Sequence, residues 1–163
     1  SATRALVLQN EVPDDANVSA AKAVRRSGGL VLLNAAPARP PSPALAANID
    51  VLVVNAIEAE LLAGIPVVKT LQAAIAAAGF LSSVYPSAVV SAGGAGVAFA
   101  ERSGTLIAIE AEKVRVASTH GAGDAFIGHL AAVLAGGAPM EQALREANRA
   151  AAVLVGTPEA ERV

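Results

Sequence analysis

Cysteine is absent from this 163-residue chain, which excludes disulfides, thiolate nucleophiles and cysteine-ligated metals. Tryptophan is absent as well, and aromatic residues make up 2% of the chain. That leaves little surface on which nucleic-acid bases could stack. There is no basic stripe. The formal net charge is −2, whereas a nucleic-acid binder presents clustered lysine and arginine to phosphates. The only histidines are His120 and His129, too few ligands for a structural zinc site without cysteine. Charged residues, Asn or Pro interrupt every apolar stretch before it reaches the ~20 residues of a membrane-spanning helix. Ser1-Ala2-Thr3-Arg4 does not read as a secretory leader. No Gly-x-x-x-x-Gly-Lys-Ser/Thr occurs, so a P-loop kinase is excluded.

Apolar residues are plentiful at 54%, and many are alanine. Helices and strands must therefore pack closely on small side chains. Residues 4–9 read as a buried strand, and Pro13-Asp14-Asp15 opens a helix with Val18, Ala21 and Val24 on one face. Gly28-Gly29 ends that helix, and a second buried strand spans 30–33. A proline-rich loop covers 37–43, and a third strand covers 51–54. Helices are expected over 55–62 and 71–78, and a fourth strand over 88–90. Segments 96–100 and 105–109 alternate around Arg102-Ser103-Gly104 as a hairpin. A strand at 114–117 is expected next, and two helices finish the chain. Their stripes are Ile127, Leu130, Ala131 and Leu134, then Met140, Ala143, Leu144, Ala147, Ala151 and Leu154. Strands alternating with helices predict an α/β domain with a mostly parallel sheet, whose ligands bind at the carboxyl ends of the strands.

The strongest chemical signal is Ser118-Thr119-His120-Gly121-Ala122-Gly123-Asp124, just before an amphipathic helix. Small residues at 121–123 let the backbone turn tightly and aim N–H groups at one point, where the helix dipole adds positive potential. Asp124 in the first turn could accept a proton from a hydroxyl beside that anion site. Equally, the pattern fits a glycine turn followed by an acid that the helix dipole favours. Asn55 and Glu58 have the spacing of a capping box, and also lie at a strand end where phosphate and hydrated Mg²⁺ could bind. Ser91, Gly93 and Gly96 form a glycine-rich turn that is either a connection or a phosphate-binding nest. Asn148 sits at the edge of an apolar stripe and needs partners, either backbone or a ligand such as adenine.

In order and spacing these segments resemble the ribokinase-like (PfkB) carbohydrate kinases. The family signature Asp-Thr-x-Gly-Ala-Gly-Asp is matched by 118–124 at every position but the first. Asn-x-x-Glu is matched by Asn55 and Glu58, and Thr-x-Gly-x-x-Gly by Ser91, Gly93 and Gly96 with Ser for Thr. Segments 8–13 and 33–38 are similar to further family segments. The resemblance implies a three-layer α/β/α fold with the N-terminal half absent, residues 1–163 being the nucleotide-binding and catalytic portion of a larger kinase. It implies ATP-dependent phosphorylation of a sugar or related hydroxyl, in a cytoplasmic homodimer that binds neither nucleic acid nor membrane. Asp124 would be the catalytic base, and the Gly121, Ala122 and Gly123 amides the anion hole. Asn55, Ser91, Gly93, Gly96, Gly123 and Asn148 would hold ATP. Asn55 and Glu58 would act on Mg²⁺ through water. Ser118 stands where the family often has an Asp that supports a monovalent cation (K⁺) site. The isolated chain is expected to be inactive as a kinase.

Two rival readings follow from the residues. A dinucleotide-binding oxidoreductase would need a third glycine where Phe126 stands, and an acid about 20 positions on after a further strand, where helices follow instead. The other rival is a catalytically dead nucleotide-binding or scaffold domain of the same fold, which Ser118 and the short chain leave open.

Overall fold

The computed structural model describes residues 3–66 and 68–162. Ser1 and Ala2, half of the segment that does not read as a leader, lie outside the described residues. Six strands form one sheet in the order in which they occur in the chain: β1 (Ala5–Gln9), β2 (Leu30–Asn34), β3 (Val51–Asn55), β4 (Ser87–Ser91), β5 (Val97–Glu101) and β6 (Leu106–Ile109). The first four pair in parallel, and the hairpin β5–β6 closes one edge antiparallel. Between the parallel strands run α1 (Asp14–Arg26), the short α2 (Pro43–Ala46), α3 (Ala56–Ala63) and α4 (Leu71–Val84). Strands added always on the same side, each through a right-handed crossover, must send their helices to the same face. The other face is covered by α5 (Ala122–Ala135) and α6 (Met140–Gly156).

The period-2 alternation of each strand sorts its residues between these layers. Val31, Leu33, Leu52, Val54, Ala88 and Val90 meet α1, α3 and α4. Leu32, Val51, Val53, Val89, Val97 and Phe99 meet Phe126, Ile127, Leu130 and Leu144 of α5 and α6. The result is a three-layer α/β/α sandwich. Alanine allows the close approach: Ala74, Ala77 and Ala78 of α4 are fully buried against the sheet.

Three expectations need correction. Residues 114–117 are not a strand. They pair with no sheet neighbour, residues 112–117 are all exposed, and the Ala117 and Ser118 N–H groups donate to the Val155 carbonyl at 2.8 and 3.2 Å. Helix α4 runs six residues past Ala78, through Gly79, because tertiary packing of Leu81 and Ser82 outweighs the ~1 kcal/mol helix penalty of one glycine. β1 is only half-buried: as an edge strand it has Leu8 buried and Val7 exposed.

Candidate active site

Every parallel strand ends on a polar residue: Gln9, Asn34, Asn55 and Ser91. Their register aligns Gln9 with Asn34 and Asn55 with Ser91. The sheet thus has a hydrophilic carboxyl edge, and α5 delivers its N-terminus to it. Two adjoining cavities occupy this edge, of about 600 and 250 Å³. Asn55, Ser91, Thr119, Ala122, Gly123 and Phe126 line both.

The larger cavity has the size of a small-molecule site. Gly93, Gly94, Gly96 and Asn148 belong to it, with an apolar wall of Val114, Val116, Ala151, Ala152 and Val155. The smaller cavity is polar and acidic. It takes in Gln9, Glu11, Asn34, Glu58, Gly121 and Asp124. The structure therefore brings Asn55, Glu58, Ser91, Gly93, Gly96, Asn148 and residues 121–124 to one edge, divided between two compartments that meet at Ala122 and Gly123, while Ser118 and His120 line neither.

The helix starts are of two kinds, and α5, like α1 and α6, has no side-chain cap. Ser42, Asn55 and Thr70 each cap a helix by accepting a backbone N–H. Gly121, in the left-handed conformation at φ 77°, caps α5 without any side-chain bond. The Ala122 N–H donates to the Thr119 carbonyl at 3.2 Å. Among the described residues, no acceptor meets the N–H groups of Gly121, Gly123 or Asp124. Unpaired donors at a helix start, with the dipole behind them, favour an anion. At Gly123 a Cβ would meet nothing within 4 Å, so the backbone faces open space there.

The capping reading of Asn55 and Glu58 holds, and both residues also line the smaller cavity. The capping box is complete: Asn55 accepts from the Glu58 N–H at 2.9 Å, and Glu58 accepts from the Asn55 N–H at 2.8 Å. Burial pushes the Glu58 carboxyl above the usual carboxylate range, partly opposed by that backbone bond. Ser91 lies at the end of β4, and the turn after it is a short 3-10 segment, Gly93–Ala95. Gly96 is obligatory: its φ is 113°, and a Cβ there would lie 2.2 Å from the Ile109 carbonyl oxygen. Asn148 finds a backbone partner, donating to the Glu110 carbonyl at 3.0 Å, and still lines the larger cavity.

Sequence reasoning missed Gln9, Glu11 and Asn34 as site residues, and the apolar wall from Val114 to Val116. For Gln9 and Asn34 there was a signal, a polar residue closing each parallel strand, whereas Glu11 lies in the turn after β1.

The α/β/α architecture matches solved ribokinase structures. A structure of Arabidopsis thaliana ribokinase complexed with ribose and ATP superposes with a TM-score of 0.83 at 30% identity, over 94% of this chain and 50% of that one. The profile of the pfkB family carbohydrate kinases matches residues 2–162, and the chain belongs to that family. Among curated relatives, a ribokinase of Haemophilus influenzae is 33% identical over 150 residues, 92% of this chain and 49% of its own length. A ribokinase of Staphylococcus aureus is 38% identical over 123 residues, 76% of this chain and 40% of its own. The chain thus spans about half the length, or less, of these relatives.

Proposed function

We propose that this chain carries the nucleotide site and catalytic base of an ATP-dependent sugar kinase. One observation carries the reading: two cavities of different chemistry meet at an uncapped helix N-terminus, with Asp124 lining the smaller one. In this assignment the larger cavity takes the base and ribose of ATP, with Asn148 and the apolar wall beside the base. The turn from Ser91 to Gly96 and the free N–H groups of Gly121 and Gly123 hold the phosphates. Asp124 takes the proton from the sugar hydroxyl in the smaller cavity as the phosphoryl group passes the α5 N-terminus. Phosphoryl transfer asks the protein mainly for alignment and charge stabilisation, and these groups supply both.

The carboxylates fit Mg²⁺ of one kind only. Among the described residues no cluster of three or more acidic or histidine side chains can hold an ion alone. Glu58 spends one oxygen on its capping box, and Glu11 and Asp124 line the same cavity. Hard oxygen donors spread in this way suit an ion that keeps its waters and leans on phosphate oxygens. Bound with the nucleotide, it would neutralise phosphate charge. The chain alone, half the length of its relatives, is inactive toward sugars in this proposal.

The test is sugar-dependent ADP formation by the whole protein that carries this chain, against a panel of sugars, with Asp124→Asn alongside. Asp124→Asn keeps the side-chain size and removes the base. Turnover falls by roughly 10²- to 10⁴-fold, the usual worth of general base catalysis, while calorimetric ATP affinity holds. Unchanged turnover would remove Asp124 from the mechanism. ATP binding without transfer to any sugar would make the domain a nucleotide binder.

A further inference from the structure

We propose that Arg162 is a built-in cation that positions the phosphate-binding loop, so that the site works without a dissociable monovalent cation. The proposal rests on reading the α5 N-terminus as the phosphate site. Arg162 donates through Nη2 to the Ser118 carbonyl at 2.9 Å and through Nη1 to the His120 carbonyl at 2.7 Å. Through Nε it donates to the Thr157 carbonyl at 3.0 Å. Carbonyls from two distant segments therefore converge on one positive charge. A guanidinium suits this place, being planar, always charged and equipped with five donors in a fixed fork. Bonds from a charged donor are roughly twice as strong as neutral ones.

The loop needs such a hold because burial gives it none. Residues 119 and 120 are exposed, and Ser118 is only half-buried. Two further contacts close a ring around it. The Ser118 hydroxyl bonds Glu159 and accepts the His120 N–H at 3.2 Å. The Ser118 hydroxyl, aided by the charge of Arg162, holds the Glu159 carboxyl below the usual carboxylate range.

The peptide plane carries this hold into the site. The carbonyl of His120 and the N–H of Gly121 belong to one planar trans peptide and point in opposite directions. Fixing the carbonyl on Arg162 therefore fixes the direction of the Gly121 N–H, and Gly121 lines the smaller cavity. The same holds for the Ser118 carbonyl and the N–H of Thr119, which lines both cavities. Arg162 touches neither cavity. It is a positioning residue.

The test compares wild type, Arg162→Gln and Arg162→Lys in the whole protein. Calorimetric ADP affinity and sugar turnover are measured in sodium, potassium and tetramethylammonium chloride at equal ionic strength. Wild type should be indifferent to the cation. Arg162→Gln should lose ADP affinity and turnover, the latter by up to ~10²-fold, as for a misplaced catalytic group. Low concentrations of guanidinium should restore much of both, and Arg162→Lys should fall between. A residue that merely stabilised the fold would lower the melting temperature without any such rescue. Potassium stimulation of wild type, or an Arg162→Gln variant with unchanged ADP affinity, would overturn the proposal. If wild type phosphorylates no sugar, the kinase reading fails. ADP affinity then decides on Arg162 alone: loss with guanidinium rescue supports it, and no loss or no rescue overturns it.

Discussion

The two walls of the cleft are built by different forces. The sheet-side wall, at the ends of β3 and β4, stands on fully buried Leu52, Val54, Val89 and Val90, and its polar rim is fixed by a capping box. The opposite wall, residues 111–121, is largely exposed and belongs to no helix or strand. Hydrogen bonds hold it: the N–H groups of Ala117 and Ser118 to the Val155 carbonyl, and the carbonyls of Ser118 and His120 to Arg162. Burial places atoms as part of the whole fold, at a cost shared by all. Hydrogen bonds to Val155 of α6 and to Arg162 beyond it place them locally and can release locally. The two walls therefore differ in what it takes to move them: the first moves only with the fold, the second with a few bonds.

The contrast can be broken by damaging the burial side. Leu144 is fully buried between α6 and the sheet. Leu144→Ala should cost about 2–5 kcal/mol and carry both walls down together, read as one cooperative denaturant transition at lower midpoint. Two separate transitions would show that the walls are independent units. A milder probe is the rim. Asn55→Ala removes the cap of α3 and should cost about 1 kcal/mol, with Asn55→Asp recovering most of it. Equal stability of the alanine variant would mean that the cap does not hold the rim.

The smallest effect sharpens the comparison by pH. Glu58 has a folded carboxyl pKa above its unfolded value, so its ionised form opposes folding. That penalty is full above the raised pKa and disappears as pH falls toward the ordinary carboxylate range near ~4.3. Gln at this position can still accept the Asn55 N–H. Glu58→Gln should therefore be level with or slightly more stable than wild type near neutrality, by less than the ~1 kcal/mol of the cap. The gap should close as the solution is acidified. Thermal melts across pH measure it, and a variant less stable at neutral pH would show that the charge is needed.

What could be read from the sequence follows the same division. Elements made by burial and local capping were legible: the strand runs, the stripes of α5 and α6, and Asn55 with Glu58 as a box. Gly121 and Gly96 were legible as turn residues, because a positive φ selects glycine. The hydrogen-bonded wall was not. Apolar Val114 and Val116 imitate a strand in composition, but β6 is already the sheet edge and no partner strand reaches them. Arg162 carried no signal at all. A cation gains its role from carbonyls that only the fold assembles, here some 40 residues upstream in the chain. Gln9, Glu11 and Asn34 fall between these cases, since strand ends were visible but their alignment into one rim needed the register.

The strand order also sets a timetable. Because each crossover helix goes to one face, the opposite face, with Leu32, Val51, Val53, Val89 and Phe99, is covered within this chain by α5 and α6. On a ribosome adding about 5–20 residues per second, the last quarter of the chain, which carries these two helices, follows the strands by seconds. The same event that covers that face brings Gly121 and Asp124 to the carboxyl edge. Within this chain, then, the carboxyl-edge cleft is completed only when that face receives its own cover.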